Sequence, residues 1–305
     1  MKKAHAALAL GALLISASPV FIKAAAAPGV IAVFYRLLIG SLVILFPFLW
    51  TTFKNKTRYP LKGIAIATLA GIFLASDMAL WSMGIMASNA TMPTLVVNLA
   101  SLWVGIGATL FFKERHPMTF WLGLLAAFTG VSFLIIHDFY VPAGLLEGLL
   151  LGLLAGLFYA GFMLCTQSGR KQLETIPFLF FSSVATTVAL GVYALLLHAP
   201  FTGYSLHSWQ MFAAMGILIQ AGAWFMINYA QGHIRASLVS PTLLIQPIFS
   251  AVIAWLWLGE TLSLWHISGG IIVVIGIYMV HFSTQKGKTK KRTQQSPTPT
   301  VEIHE

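Results

Sequence analysis

The chain has 305 residues, 58% of them hydrophobic and only 9% charged, with a formal net charge of +10. Soluble domains carry about a quarter charged residues, so a water-soluble globule is excluded; the positive charge is better explained by where the lysines and arginines lie than by a nucleic-acid partner. The single cysteine, Cys165, excludes an internal disulfide.

In a bilayer every backbone polar group must be satisfied inside the structure, which leaves a helical bundle or a closed barrel. The apolar runs are about 20 residues long and lack strict alternation, which selects helices. In chain order they predict ten spans: 4–23, 29–50, 61–84, 90–112, 117–136, 143–166, 176–197, 208–230, 237–258 and 263–283. Pro28-Gly29, Ser88-Asn89, the stretch from Asp138 to Pro142 and the turn from Pro200 to Gly203 punctuate them. The loop Lys54-Asn-Lys-Thr-Arg58 is too polar for hydrocarbon. Residues 175–234 hold two spans and run 60 residues without one Asp, Glu, Lys or Arg. The first span imitates a secretory signal, with Lys2-Lys3, an apolar core and Ser16-Ala-Ser18. Removing it would leave nine helices and break the repeat described below, so it is kept as a helix.

Threading ten helices from a cytoplasmic N-terminus puts 16 of the 18 lysines and arginines on the inside, with Lys23 outside and Arg36 within the membrane. The positive-inside rule predicts this asymmetry, so both termini are expected in the cytoplasm of a bacterial-type inner membrane. The polar tail after residue 283 is expected to be disordered, its Lys/Arg cluster acting as a topology anchor.

A shift of 146 residues aligns 90–135 with 236–281. Ala90/Ala236, Ala108/Ala254, Leu110/Leu256, Glu114/Glu260, Gly123/Gly269 and Gly130/Gly276 are identical pairs. The chain therefore divides into a first five-helix repeat (1–139), a second (140–283) and a basic tail (284–305). Five is odd, so the two halves sit upside down relative to one another. Inverted repeats of this kind build secondary transporters, with the substrate site near the midplane between the halves.

The same residues resemble a known family. Asp77-Met-Ala-Leu-Trp81, Asn89-Ala-Thr-Met-Pro-Thr-Leu-Val-Val-Asn98, Phe112-Lys-Glu-Arg115, Gly123 and Gly130 carry the likeness in the first half. Gln231-Gly-His-Ile-Arg-Ala-Ser237, Gln246-Pro247, Leu258-Gly-Glu260, Gly269-Gly270 and Gly276 carry it in the second, and Arg36 also fits. Together they resemble the EamA-type transporters of the drug/metabolite transporter superfamily. The resemblance implies an all-α, ten-helix inverted-repeat carrier, usually an exporter of amino acids or other small metabolites. Ser101 departs from it, standing where the family's first repeat often has a proline like Pro247.

Charged residues inside a membrane are costly and normally face a cavity or a partner. Arg36 and Asp77 are the two that lie clearly within spans, both about 10–12 Å from the outer surface. Asn98 shares their level. A deeper polar set comprises Gln220, Asn228 and Gln246; Trp81 follows Asp77 by four residues and Trp224 precedes Asn228 by four, so each pair shares a helix face. These eight residues are the expected substrate path. Arg36 and Asp77 also suit an ion pair locking the second and third helices, and the two readings are compatible. Gly148, Gly152 and Gly156 recur every four residues as a seam for close helix contact. Trp50, Trp209 and Trp265 sit at span ends as interface anchors.

No metal-ligand spacing, phosphate-cradling loop or catalytic carboxylate pair is present in the sequence, so neither cofactor nor enzymatic activity is expected. The expected partners are a small-molecule substrate and the lipid bilayer. The oligomeric state stays open, a monomer included. Export by alternating access leads; uptake or exchange of another metabolite, a lipid-handling membrane enzyme and a channel are the alternatives.

Overall fold

The structure is a computed structural model that describes residues 2–88, 91–136, 144–258 and 264–293. It is helical throughout, with no strand among the described residues. Nine helices there are long and apolar enough to cross a membrane, and a tenth supplies a shorter apolar stretch, Met118–Phe133. We number the ten spans α1 (Lys2–Ala24), α2 (Gly29–Asn55), α3 (Leu61–Ala87), α4 (Thr91–Val97 and Ala100–Phe112) and α5 (Met118–Ile136). The second half follows as α6 (Leu145–Gly169), α7 (Thr175–Leu196), α8 (Leu206–Gln231), α9 (Ala236–Leu243 and Gln246–Leu258) and α10 (Leu264–Thr293). The ten-helix bundle in two inverted repeats is thus present. α10 continues to Thr293, so part of the tail expected to be disordered is helical.

Helix neighbours follow a two-fold pattern. α1 packs on α8 as α6 packs on α3; α2 packs on α8 as α7 packs on α3; α2 meets α7, and α5 meets α10. α1 belongs to this core, since Ala4, Leu8 and Ala12 are buried and a methyl carbon on Gly11 would stand 2.9 Å from the Ile227 side chain on α8. The Gly-x6-Gly frame explains the α5–α10 contact: Gly123 lies against the Gly276 carbonyl and Gly130 against that of Gly269. The seam on α6 does what its spacing suggests. Gly148 faces Ser88, while Gly152 and Gly156 face Pro93 and Val97 of α4.

α4 and α9 are each broken in the middle, at 98–99 and 244–245, positions 146 residues apart. The breaks share their hydrogen bonds. Asn98 and Leu99 donate to the carbonyls of Leu95 and Val96, as Leu244 and Ile245 donate to those of Pro241 and Thr242. These are tight i→i−3 bonds. Pro247 accounts for the second break, because it lacks an N–H. Ser101 forms the first without a proline by donating to the Asn98 carbonyl. The departure at Ser101 therefore leaves the break intact, and the serine hydroxyl meets that of Ser240 at 2.9 Å where α4 crosses α9.

One feature carried no sequence signal. The middle of α8, Met215–Ala223, is a π-helix. It lies where α2 crosses: a methyl carbon on Gly216 would stand 2.7 Å from Ile39, and Gly40 faces Gln220. Such wide turns are rare and concentrate at functional sites.

Candidate functional site

Arg36 and Asp77 are both buried, at 5% and 8% exposure. Arg36 Nη1 donates to the Ser18 hydroxyl on α1 at 3.2 Å. Its Nε and Nη2 atoms, and Oδ1 of Asp77, have no hydrogen-bond partner. The expected Arg36–Asp77 ion pair is therefore not formed. The two residues share a depth, but depth does not make neighbours: α2 lies on α7 and α8, α3 on α6 and α7, and the two helices meet only at their margins. Asp77 instead lies within electrostatic reach of the Tyr159 phenol on α6.

The other predicted residues fall into linked groups. Trp81 Nε1 donates to the Thr94 hydroxyl at 3.0 Å, and Asn98 Nδ2 donates to the Thr94 carbonyl at 2.7 Å. Asn98 thus takes up a carbonyl that the break in α4 releases. Gln220 Nε2 donates to the Ser183 hydroxyl on α7 at 2.9 Å, leaving its Oε1 unpartnered. Trp224 packs edge-on against Phe162 at 5.3 Å, and Phe162 lies 5.9 Å from the Tyr159 ring. An aromatic line so runs from Tyr159 through Phe162 to Trp224. Trp224 Nε1 and Asn228 Oδ1 are buried along it without partners. Asn228 Nδ2 is taken by the Trp224 carbonyl at 2.8 Å. Gln246 is half-buried at the first residue of α9's second piece. Buried polar atoms are normally satisfied, and those on α2, α3 and α8 are among the described ones left without a protein partner.

At the other end of α4 a second cluster forms around Glu114. Its carboxylate accepts from Ser237 at 2.6 Å and from Gln167 at 3.2 Å. His116 and Arg235 stand at 3.6 and 3.9 Å. Among the described residues no three His, Cys, Asp or Glu side chains are grouped as a metal set.

Residues 2–136 and 146–282 each match the sequence profile of the EamA-like transporter family. The chain belongs to the EamA-like transporter family. The transporter is 27% identical to "Uncharacterized transporter YdfC" of Bacillus subtilis (strain 168) over 256 residues, 83% of this chain and 81% of the relative. It is 24% identical to "Uncharacterized transporter" of Archaeoglobus fulgidus over 277 residues, 91% and 96% of the two chains. A solved crystal structure shares the fold, with a TM-score of 0.78 at 15% identity over 92% of this chain and 98% of the other.

Three polar residues of this EamA transporter escaped the sequence reading. Tyr159 is one aromatic among many on an apolar helix, Ser18 was absorbed into the signal-like pattern, and Gln167 sits at a helix end, where an amide is unremarkable. Glu114 was visible, but only as a marker of the repeat.

His116 stacks on Phe120 at 4.1 Å. Burial lowers its pKa from the ordinary 6.5, while Glu114 opposes the shift and Arg235 adds to it. The folded state thus favours neutral imidazole. As pH falls through about 6.5 the unfolded chain takes the proton first, so His116 stabilises the fold above that pH and withdraws this contribution below it. Melting in detergent between pH 7.5 and 5 checks this. The His116→Gln variant is expected to lose less stability than the parent over that range, and an equal loss would remove His116 from the acid response.

Proposed function

We propose that this transporter is a secondary carrier exporting amino acids or related zwitterionic metabolites by alternating access, with both termini cytoplasmic in a bacterial-type plasma membrane. The observation that carries the reading is the pair of buried opposite charges that do not satisfy one another. A zwitterion supplies what each lacks. Nε and Nη2 lie along one edge of the Arg36 guanidinium, the fork a carboxylate accepts with both oxygens. Asp77, whose Oδ1 is buried without a partner, offers an acceptor to an ammonium group. The aromatic line towards Trp224 suits an apolar side chain, and Asn228 and Gln220 offer polar atoms deeper in. Trp81, Asn98 and Gln246 complete the proposed path on α3, α4 and α9. The halves 1–139 and 140–283 are the moving units, α4 and α9 bending at their matched breaks. Positive-inside charge supports the orientation, and the absence of a nucleotide-binding motif from the sequence supports a gradient as the energy source.

Efflux of labelled solutes from proteoliposomes, with and without a proton gradient, tests the reading. Neutral amino acids are expected to leave at least ten times faster than from protein-free vesicles. Movement of lipophilic cations or sugars with no movement of any zwitterion would replace the reading with another substrate class.

A further inference from the structure

Glu114 sits where α4 ends, on the face that the lysines and arginines mark as cytoplasmic, and it is only 7% exposed. Its Oε2 accepts from the Ser237 hydroxyl and its Oε1 from Gln167 Nε2. The Gln167 side-chain oxygen, Oε1, in turn accepts from the backbone N–H of Ala236, the first residue of α9. One carboxylate therefore ties together the ends of α4 and α6 and the start of α9. His116 and the half-exposed Arg235 flank it.

The two repeats differ in how closely their equivalent helices pack. Beside the break in α4, the crevice among α4, α5 and α9 lined by Leu102, Leu124 and Phe128 has a volume of about 20 Å³. Its counterpart at the 146-residue shift, lined by Ile248, Gly270 and Val274 between α9 and α10, is an apolar groove of about 420 Å³ on the perimeter of the bundle, where Val274 is half-exposed. α4 lies along α6 over both its pieces, whereas α9 meets α1 more loosely. α6 presents Gly152 and Gly156 to that contact, while Gly11 of α1 faces α8 instead.

We propose that Glu114, Gln167 and Ser237 are the bolt of a gate, holding α4 and α9 together on the Glu114 face while the opposite face is open. This rests on the alternating-access reading. The two helices the bolt joins are the two that carry the matched breaks, so their ends can swing once released. A polar bolt suits a reversible gate. When it opens, water replaces its hydrogen bonds, so release costs far less than breaking them in an apolar medium would. The 146-residue shift carries the same two chemistries to the other half of the sequence, Glu260 for Glu114 and Thr91 for Ser237.

The test uses one reporter thiol, Ser101→Cys, in the full chain with Cys165→Ala. Ser101 lies between α4 and α9, 4% exposed and one contact from Ser240. Its modification by a membrane-impermeant maleimide is timed in inside-out and right-side-out vesicles, without added solute. In Glu114→Ala the rate from the Glu114 face is expected to rise at least fivefold and the rate from the opposite face to fall. Ser237→Ala, which removes one hydroxyl, is expected to shift both rates the same way by about twofold, and it carries the test if Glu114→Ala does not fold. Unchanged rates, or a rise from both faces as simple loosening would give, overturn the bolt. A shift in sidedness in a protein that moves no zwitterion upholds the bolt and removes the substrate reading. Altered transport with unchanged sidedness removes the bolt alone.

Discussion

Replacing Arg36 with methionine, or Asp77 with asparagine, is expected to cut transport about 100-fold while leaving the melting temperature unchanged or raised. The two halves of this result have separate causes. A hydrogen bond to a charged group is worth about 1.5–3 kcal/mol, so losing either charged contact with the solute removes roughly one to two orders of magnitude. Stability moves the other way, because a charge near the middle of a membrane helix costs about 2.5–3.5 kcal/mol. Arg36 has one partner, Ser18, for three donor atoms, and Asp77 Oδ1 has none. Neutralising either removes a desolvation cost and breaks little. The double variant is expected to be additive in stability within about 0.5 kcal/mol, as for sites without shared partners. Scintillation counting of efflux and thermal melting of the same preparations check both halves. Strong destabilisation of each single variant, relieved in the double, would mean the two charges do pair in the membrane and would return them to a structural role.

That expectation reverses one drawn from depth alone, and the reason shows how far the chain can be read without coordinates. The thickness of hydrocarbon fixes the length of a span, and the preference of lysine and arginine for one side fixes direction, so ten helices and their inversion follow from composition along the chain. Lateral arrangement has no such code. Asp77 and Arg36 lie on consecutive helices at one level, yet α3 turns to α6 and α2 to α8. The breaks were half legible: Pro247 announces the one in α9, while its twin in α4 has Ser101 at the equivalent position and so carries no such marker. The π-helical stretch of α8 has no residue type that marks it. Glu114 was visible as half of a repeated pair, but its partners Gln167 and Ser237 stand 53 and 123 residues away, beyond the reach of any local pattern.

Glycines divide in the same way, and a substitution series is expected to separate them sharply. Gly130→Val should abolish recovery of monodisperse protein, while Gly270→Ala and Gly29→Ala should leave yield and melting near the parent. All three glycines lie in helices; the repeat singles out Gly130, but the sequence does not say which backbone it meets. A methyl carbon on Gly130 would stand 2.6 Å from both the Gly269 carbonyl oxygen and the Val273 nitrogen. Both atoms are backbone, so no rotamer change relieves the clash; α5 and α10 must move apart by nearly 1 Å along their whole contact. Membrane helices associate through close packing rather than a hydrophobic drive, so separated backbones are not compensated by apolar surface, which lipid covers equally well. The other seam contacts fail with it, because Gly123 and Gly276 are as close on the same pair of helices: a methyl carbon on Gly123 would stand 2.8 Å from the Gly276 carbonyl oxygen, and one on Gly276 2.6 Å from that of Gly123. At Gly270 the nearest atoms belong to the Ile248 side chain at 3.7 Å, ordinary contact, and at Gly29 nothing lies within 4 Å. Fluorescence-detected size-exclusion of the variants reads the outcome directly. A monodisperse Gly130→Val with parental melting would show that α5 and α10 do not hold the two repeats together, and would move that task to the α2–α8 and α3–α7 crossings.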